Sequence, residues 1–388
     1  MNACFLRVLN LSITAGWLVS AVVLLRFALK KAPKWVRCLL WGIVALRLLL
    51  PFTIESSLSL LPSAEPVRTE SVTVEPGTIL QKVPDSYQRV VFHSGFEAVD
   101  EAVNPVMAKT AEETMAKTGT DAIATVQTAA AWVWAAGAAA MLLYAAASYL
   151  YMRHKVRVSI RTERNVYVCD DVHSPFILGT IRPKIYLPSG LDAQSRAYIL
   201  AHERAHIRRL DHLWKPLGFL LLSIHWFNPL IWIAFLLLSR DIEFACDEKV
   251  ISQLDAEGKA AYSDTLLAFS RPHRTIAVCP VAFGEVNVKK RVRSVLYYRK
   301  SALWIVLVAV CSAAAVAVCF LTAPKPASAE AAASASTRTA AVSTEPSLAL
   351  PKRLTQKRAG QEEEPEEEPE RFYLNPAISA SQLCDEAE

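Results

Sequence analysis

Four long apolar stretches organise the chain, at about 8–27, 35–54 and 129–149 and at 302–321. As helices, each is long enough to cross roughly 30 Å of hydrocarbon. The first has no small-residue cleavage site after its apolar core, so it reads as a retained span rather than a signal peptide. A fifth stretch, "LGFLLLSIHWFNPLIWIAFLLLS", has membrane length but is broken by Asn228 and Pro229, which disfavours a straight crossing. Between the third and fourth stretches the pattern changes. Over 193–211, apolar Tyr198, Ile199, Ala201, Ala205 and Leu210 alternate with polar positions and predict a helix with Asp192 as its N-cap. "SRDIEFACDEKVI" predicts a second helix, with Ile242, Phe244, Ala245, Val250 and Ile251 facing a core. "SPFILGTIRPKIYLP", 174–188, predicts two short strands with a turn at Gly179.

Charge orients these segments. The chain has 388 residues, 53% hydrophobic and 20% charged, the balance of an integral membrane protein. "RFALKKAPKWVR", between the first two spans, carries five cations and no acid. "YMRHKVRVSIRTER" after the third span and "KKRVRSVLYYRK" before the fourth are also basic, and flanks of this kind stay cytoplasmic. The predicted topology puts the N-terminus, the 55–121 loop and the tail outside. Arg47, inside the second span, reads as a cation near the outer edge that snorkels to the headgroups; the alternative is a partner for a buried carboxylate or carbonyl. The residues after 322 are rich in Ala, Ser, Thr and Pro, then carry the acidic run 362–370, a composition that predicts disorder. Eight cysteines without a C-x-x-C pair argue against a disulfide framework or a cysteine zinc knuckle.

The chemistry is concentrated in "AHERAHIRRLDHL", 201–213. On one helix His202 and His206 are four apart, so both imidazoles project from one face about one turn apart. Glu203 can reach a polarised water without ligating a metal, which is the H-E-x-x-H arrangement for zinc hydrolysis. The competing reading is two surface histidines on a charged helix. A third protein ligand is required, and Glu243 is the best candidate. Asp247, four residues on, lies on the same face and can orient a ligand histidine through its outer nitrogen. Against this stands a solvated acidic face paired with Arg240 and Lys249. Helical phase disfavours Asp241 and Glu248, while Asp211, His212 and His225 are left unassigned. A true crossing at 217–239 would separate Glu243 from the two histidines. The stretch is therefore expected to form a hairpin that lies against or dips into the inner leaflet, keeping the metal cytoplasmic and close to the membrane.

The chain resembles the membrane zinc metallopeptidases of the BlaR/MecR type. The resemblance rests on "RLLLP", "SPFILGTIRPKIYLP", "LAHERAHIRRLDHL", "HWFNPLIW", "RDIEFACDEKVI" and "AFGEVNVKKRVRSVL", in that order. It implies Zn2+ on His202, His206 and Glu243, Glu203 as general base, and a gluzincin-like cytoplasmic protease that acts on a repressor, often with self-cleavage before the fourth span. Self-cleavage is looked for between 281 and 293, where an amphipathic approach to the membrane with a basic anchor is the plainer reading. The tail contains no S-x-x-K and is too short and polar for a penicillin-binding sensor domain. Direct acylation by β-lactams is therefore not expected.

The expected architecture is an α-helical membrane protein with four transmembrane helices and a cytoplasmic α+β gluzincin-like zinc protease domain. Residues 1–54 hold the first two spans and their basic loop, 55–121 an extracytoplasmic loop and 122–152 the third span. Residues 153–300 hold the protease domain with a membrane-associated hairpin at about 217–238, 301–322 the fourth span and 323–388 a disordered extracytoplasmic tail. The expected function is a bacterial plasma-membrane zinc metalloendopeptidase in regulatory signalling, with a cytoplasmic winged-helix repressor, itself, or both as substrate. The alternatives are a quality-control membrane protease and a non-proteolytic zinc-binding receptor or scaffold. The lipid bilayer is an expected partner, direct nucleic-acid binding is not expected, and a homodimer is left open.

Overall fold

The computed structural model describes residues 1–50, 54–55, 59–60, 66–73, 86–94, 97–118, 122–269 and 288–323. The tail from 324 onward and the 281–287 part of the expected cleavage window lie outside these residues. So do the intervening pieces of the 55–121 loop. In chain order the described elements are α1 (Asn2–Ala28), α2 (Lys34–Leu49), β1 (Ile54–Glu55), β2 (Val67–Thr73), β3 (Ser86–Phe92), α3 (Glu97–Thr118) and α4 (Ala122–Lys155). There follow β4 (Ile160–Arg161), β5 (Val166–Val168), β6 (Phe176–Leu178), β7 (Lys184–Leu187), α5 (Ala193–Arg208) and α6 (Asp211–Ile224). The last are α7 (Pro229–Ile251), α8 (Ala256–Ala268), α9 (Val288–Leu296), α10 (Leu303–Leu321) and β8 (Thr322–Ala323), which pairs in parallel with β1.

Three helices among the described residues are long and apolar enough to cross a membrane: α1, α4 over Ile123–Lys155, and α10. The expected second span is shorter than the sequence suggests. α2 has 16 residues, about 24 Å of helix, against roughly 30 Å of hydrocarbon. It ends at Leu49 because Leu50 is extended, as the residue before a proline prefers to be. α2 lies within the bundle, its Val36, Leu40, Trp41, Ile43, Val44 and Leu48 all buried. Arg47 corrects the snorkelling expectation, being 2% exposed with its Nη2 donating to Thr14 Oγ1 of α1 at 3.3 Å. The helix that carries it packs against α1, α6, α7 and α10.

The broken apolar stretch forms an α6–α7 hairpin. Asn228 caps α7 by accepting from the Leu230 amide at 2.9 Å, and Pro229 takes the first helical position, where its missing N–H matters least. Phe219, Leu221 and Leu222 of α6 and Ile231, Ala234 and Phe235 of α7 are buried in one cluster with side chains of α1, α2 and α10. The hairpin therefore lies inside the bundle, deeper than a surface position. Its tip reaches α1 where Asn228 Nδ2 donates to Ser12 O (3.0 Å) and Ser12 Oγ (2.9 Å). Its base reaches α1 again where Arg26 grips Asp241. Those contacts are 14 residues apart on α1, so the two helices run side by side for about 21 Å.

α4 docks on the hairpin tip through interlocked indoles. Trp134 Nε1 donates to Ile224 O at 2.8 Å, and Trp226 Nε1 donates to Trp134 O at 3.2 Å. Gly137 makes the approach possible, since a Cβ there would lie 2.3 Å from the Trp226 ring. Gly137→Ala is thus expected to force the helices apart and destabilise the bundle by about 1–3 kcal/mol, the usual penalty of overpacking. A lowered thermal midpoint in detergent, with altered tryptophan fluorescence, is the check.

Near the same end of α1, β2 and β3 are clasped by two asparagines. Asn10 of α1 pairs with both the N–H and C=O of Val67, at 2.9 and 2.8 Å. Asn104 of α3 does the same for Phe92, at 2.8 and 3.0 Å, and Val67 and Phe92 face each other in the antiparallel ladder.

A four-stranded sheet of order β4-β5-β7-β6 carries α5. β5 and β7 are parallel, and the outer pairs are antiparallel, so β6 lies at an edge. The expected turn at Gly179 is present, at φ 105°, a conformation that favours glycine. Val166, Ile185 and Leu187 of the sheet pack against Ile199 and Leu200 of α5, fixing the helix that carries the histidines.

Candidate metal centre

α5 begins where its sequence predicts, with Asp192 accepting from the Ser195 amide at 2.9 Å. It ends at Arg208, earlier than the periodicity suggests, because Leu210 takes φ 60° and turns the chain. That turn starts α6 at Asp211 and brings α6 back against α5. α7 crosses both, and its lower half carries Glu243 and Asp247 on the face turned towards the histidines.

The three side chains expected to hold a metal come together. His202, His206 and Glu243 are all buried, with one potential ligand atom from each lying within 4.8 Å of the others. The two Nε2 atoms are 3.2 Å apart, His202 Nε2 lies 3.4 Å from Glu243 Oε2, and His206 Nε2 lies 3.6 Å from Glu243 Oε1. Tetrahedral zinc bonds of about 2.0–2.1 Å give ligand separations of about 3.4 Å, so the donor set fits that ion.

Each imidazole is held from behind. His206 Nδ1 donates to Asp211 Oδ2 at 2.9 Å, which leaves its Nε2 lone pair aimed at the shared point. His202 Nδ1 lies 2.9 Å from the Tyr262 hydroxyl and 3.2 Å from Asp247 Oδ1, and that hydroxyl donates to the same Asp247 oxygen at 2.7 Å. Asp247 thus lies where the spacing placed it, beside the outer nitrogen of His202. Asp211, left unassigned from the sequence, makes the equivalent contact to His206. Glu203 is 7% exposed, and among the described residues no side chain hydrogen-bonds its carboxylate.

The electrostatics keep the acids ionised. Burial alone would raise the Glu243 pKa, but Lys215, His206 and hydrogen bonds from both histidines hold it well below the usual carboxylate range. Lys215 Nζ lies 2.9 Å from Glu243 Oε1, and Arg291 Nη1 lies 3.4 Å from Oε2. Burial also opposes the charged form of Asp247, yet Arg291 and His202 keep its pKa low. For His202, hydrogen bonds to Asp247 and Glu243 outweigh burial and lift the pKa to about 9. Cys246 Sγ lies 3.2 Å from both His206 Nδ1 and Asp211 Oδ2. Burial and the acids beside it push that thiol well up, so it stays a protonated donor to Asp211 rather than a thiolate ligand.

Asp241, disfavoured as a ligand by helical phase, indeed turns to the opposite side and pairs with Arg26. Glu248 accepts from the Lys34 amide at 2.7 Å. His225, at the hairpin turn, is a full α6 helix away from Asp211 and takes no part in the centre. Lys215, Tyr262 and Arg291 were not singled out in the sequence. Only Lys215 left a local signal, the Asp211–Lys215 spacing of four that puts both on one face of α6.

If Asp211 fixes the orientation of His206, Asp211→Asn weakens the preferred tautomer while preserving shape. Zinc affinity is expected to fall about 10–100-fold, the usual effect of losing an outer hydrogen-bond partner. Competition with a chromogenic chelator checks it.

The chain is 28% identical to the regulatory protein BlaR1 of Bacillus licheniformis over 176 residues, 41% of this chain and 29% of that protein. It is 25% identical to the methicillin resistance mecR1 protein of Staphylococcus aureus over 163 residues, 39% of this chain and 28% of that protein. A protein of the same description from Staphylococcus epidermidis matches to the same extent. The aligned stretch spans less than a third of the length of these relatives. The model of the BlaR1 peptidase M56 family matches residues 6–295, from the first turns of α1 to the last turn of α9, a span that includes every residue of the centre. The chain therefore belongs to the BlaR1 peptidase M56 family.

Proposed function

We propose that this chain is a membrane-embedded zinc metalloendopeptidase in regulatory signalling that hydrolyses a cytoplasmic repressor, itself, or both. The observation that carries the reading is the convergence of two imidazole Nε2 atoms and one carboxylate at zinc-like separations, each imidazole oriented from behind by a carboxylate. His202, His206 and Glu243 would hold the ion. When bound, zinc supplies Lewis-acid polarisation of water and of the scissile carbonyl.

The chain's own groups do the remaining work. Glu203 accepts the proton of the attacking water and delivers it to the leaving amine. With the ion bound, Asp211 and Asp247 would hold the histidines in the tautomer that leaves Nε2 unprotonated. Lys215 and Arg291 balance the buried Glu243 charge. Among the described residues β6 lies at an edge of the sheet, a place where an extended substrate can add as a strand.

The basic flanks support a centre on the cytoplasmic side of a bacterial plasma membrane, at the base of the α6–α7 hairpin. A winged-helix repressor is the substrate that the kinship with regulatory proteins favours. Self-cleavage between 281 and 293 would exclude the described part of that window, since 288–293 is helical and a scissile segment must be extended. The test compares wild type with Glu203→Gln for zinc content and for cleavage of the co-expressed repressor. A Gln variant that still cleaves overturns the reading.

A further inference from the structure

Of the cations in "VKKRVRSVL", one is turned inward. Lys289, Lys290 and Arg293 are exposed, whereas Arg291 is 9% exposed and shares a buried face of α9 with Val295, four residues on. Its Nε donates to Asp247 Oδ2 at 2.8 Å and its Nη2 to Asp247 Oδ1 at 2.6 Å, a two-pronged grip. Its Nη1 lies 3.4 Å from Glu243 Oε2 and its Nη2 lies 3.4 Å from His202 Nε2. One planar guanidinium thus touches three members of the centre from a helix that leads, after six residues, into α10.

We propose that Arg291 is a positioning residue of the metal centre, fixing Asp247 and through it His202, so that α9 is a working part of the site rather than a basic membrane anchor. This rests on the reading of His202, His206 and Glu243 as the metal-holding set. Docking alone does not explain the residue. Val295 is fully buried among Val250, Ile251 and Tyr262, which already holds α9 in place. A buried ion pair adds little stability over an apolar pair of similar shape. What the fork adds is direction. Asp247 Oδ1 lies close to Arg291 Nη2, the Tyr262 hydroxyl and His202 Nδ1 together, and it can meet all three in only a narrow range of orientations. Lysine offers a point charge without that geometry.

The experiment uses the full chain in detergent, stripped with chelator and titrated with zinc against a chromogenic competitor, with thermal midpoints recorded on the metal-free protein. Arg291→Met is expected to lower zinc affinity about 10–100-fold. Arg291→Lys should recover part of the loss. Val295→Ala should lower the thermal midpoint yet hold zinc within about threefold of wild type. In an Asp247→Asn background, Arg291→Met should cost clearly less zinc affinity than it does alone, because the linkage through Asp247 is already broken and only the contact to Glu243 remains to be lost. If Arg291→Met alone does not fold, Arg291→Lys is measured in its place. Unchanged zinc affinity in Arg291→Met overturns the proposal, as do equal zinc losses in Arg291→Met and Val295→Ala, or a loss on adding Arg291→Met to Asp247→Asn as large as Arg291→Met causes alone. A wild type that binds no zinc overturns the metal reading itself, and this proposal with it.

Discussion

Glu203→Gln is expected to bind as much zinc as wild type while cleaving its substrate about 10²–10⁴-fold more slowly, the range that a positioned general base contributes. Zinc retention follows from geometry. Glu203 is next to His202 in sequence, but the atoms that converge on the metal position belong to His202, His206 and Glu243. An amide of the same shape fills the same buried space without disturbing α5, whose packing on the sheet runs through Ile199 and Leu200. The rate loss follows from chemistry, since a carboxamide cannot accept the proton that the attacking water must lose. The measurement is zinc per chain by elemental analysis, alongside an immunoblot for repressor fragments. His202→Ala gives the contrast, because it should lose zinc and cleavage together. Equal cleavage by wild type and Glu203→Gln would remove Glu203 from the mechanism. Full zinc without cleavage in wild type, with the repressor present, would favour the zinc-binding scaffold.

The centre was legible in the sequence to the extent that it lies on single helices. His202 and His206, and again Glu243 and Asp247, are i,i+4 pairs whose shared face follows from 3.6 residues per turn, and the structure brings these faces together. Helical phase also disfavoured Asp241 and Glu248. What periodicity cannot supply is a partner from a distant element. Arg291 is 44 residues from Asp247 and sits in a run of cations that reads as a membrane anchor, and only tertiary packing singles it out. Tyr262 looks like an ordinary core aromatic until its hydroxyl is found between His202 and Asp247. Asp211 was undecided for a different reason. A continuous helix through 211 would have turned it elsewhere, and the left-handed Leu210 is what returns it to His206. The apolar pattern had a similar limit. It located every long apolar segment, but hydropathy does not show that α2 stops at Leu49 or how deep a hairpin lies among its neighbours.

Asp241→Ala is expected to destabilise the folded protein by about 3–5 kcal/mol, the penalty of leaving a buried charge without its partner. Asp241 has 0% exposure and is gripped by Arg26, Nε to Oδ2 at 2.6 Å and Nη2 to Oδ1 at 2.8 Å. Trp41 Nε1 donates to Oδ2 at 3.0 Å, and Arg37 Nη1 stands 3.9 Å from Oδ1. The carboxylate therefore joins α1, α2 and α7 at the level where α7 passes from its apolar half to the half that carries the metal ligands. Removing it strands the Arg26 guanidinium among packed helices. Arg26→Met with Asp241→Leu removes both charges, and that pair should recover most of the loss, because well-packed apolar side chains replace buried ion pairs at little or no penalty. Thermal midpoints in detergent, measured for the single and paired variants, decide it. A single variant as stable as wild type would show that the pair contributes no net stability. A paired variant as weak as the single one would instead make Asp241 essential for a reason other than Arg26, with Trp41 the first contact to test. Zinc titration of the paired variant carries the argument to the site. Asp241 and Glu243 lie two residues apart on roughly opposite sides of α7, so a bundle that holds its helix position with an apolar pair should still present Glu243 to His202 and His206 and bind zinc within about threefold of wild type. A stable paired variant that has lost zinc would mean that Arg26 and Asp241 set the register of α7, and with it the position of the third ligand.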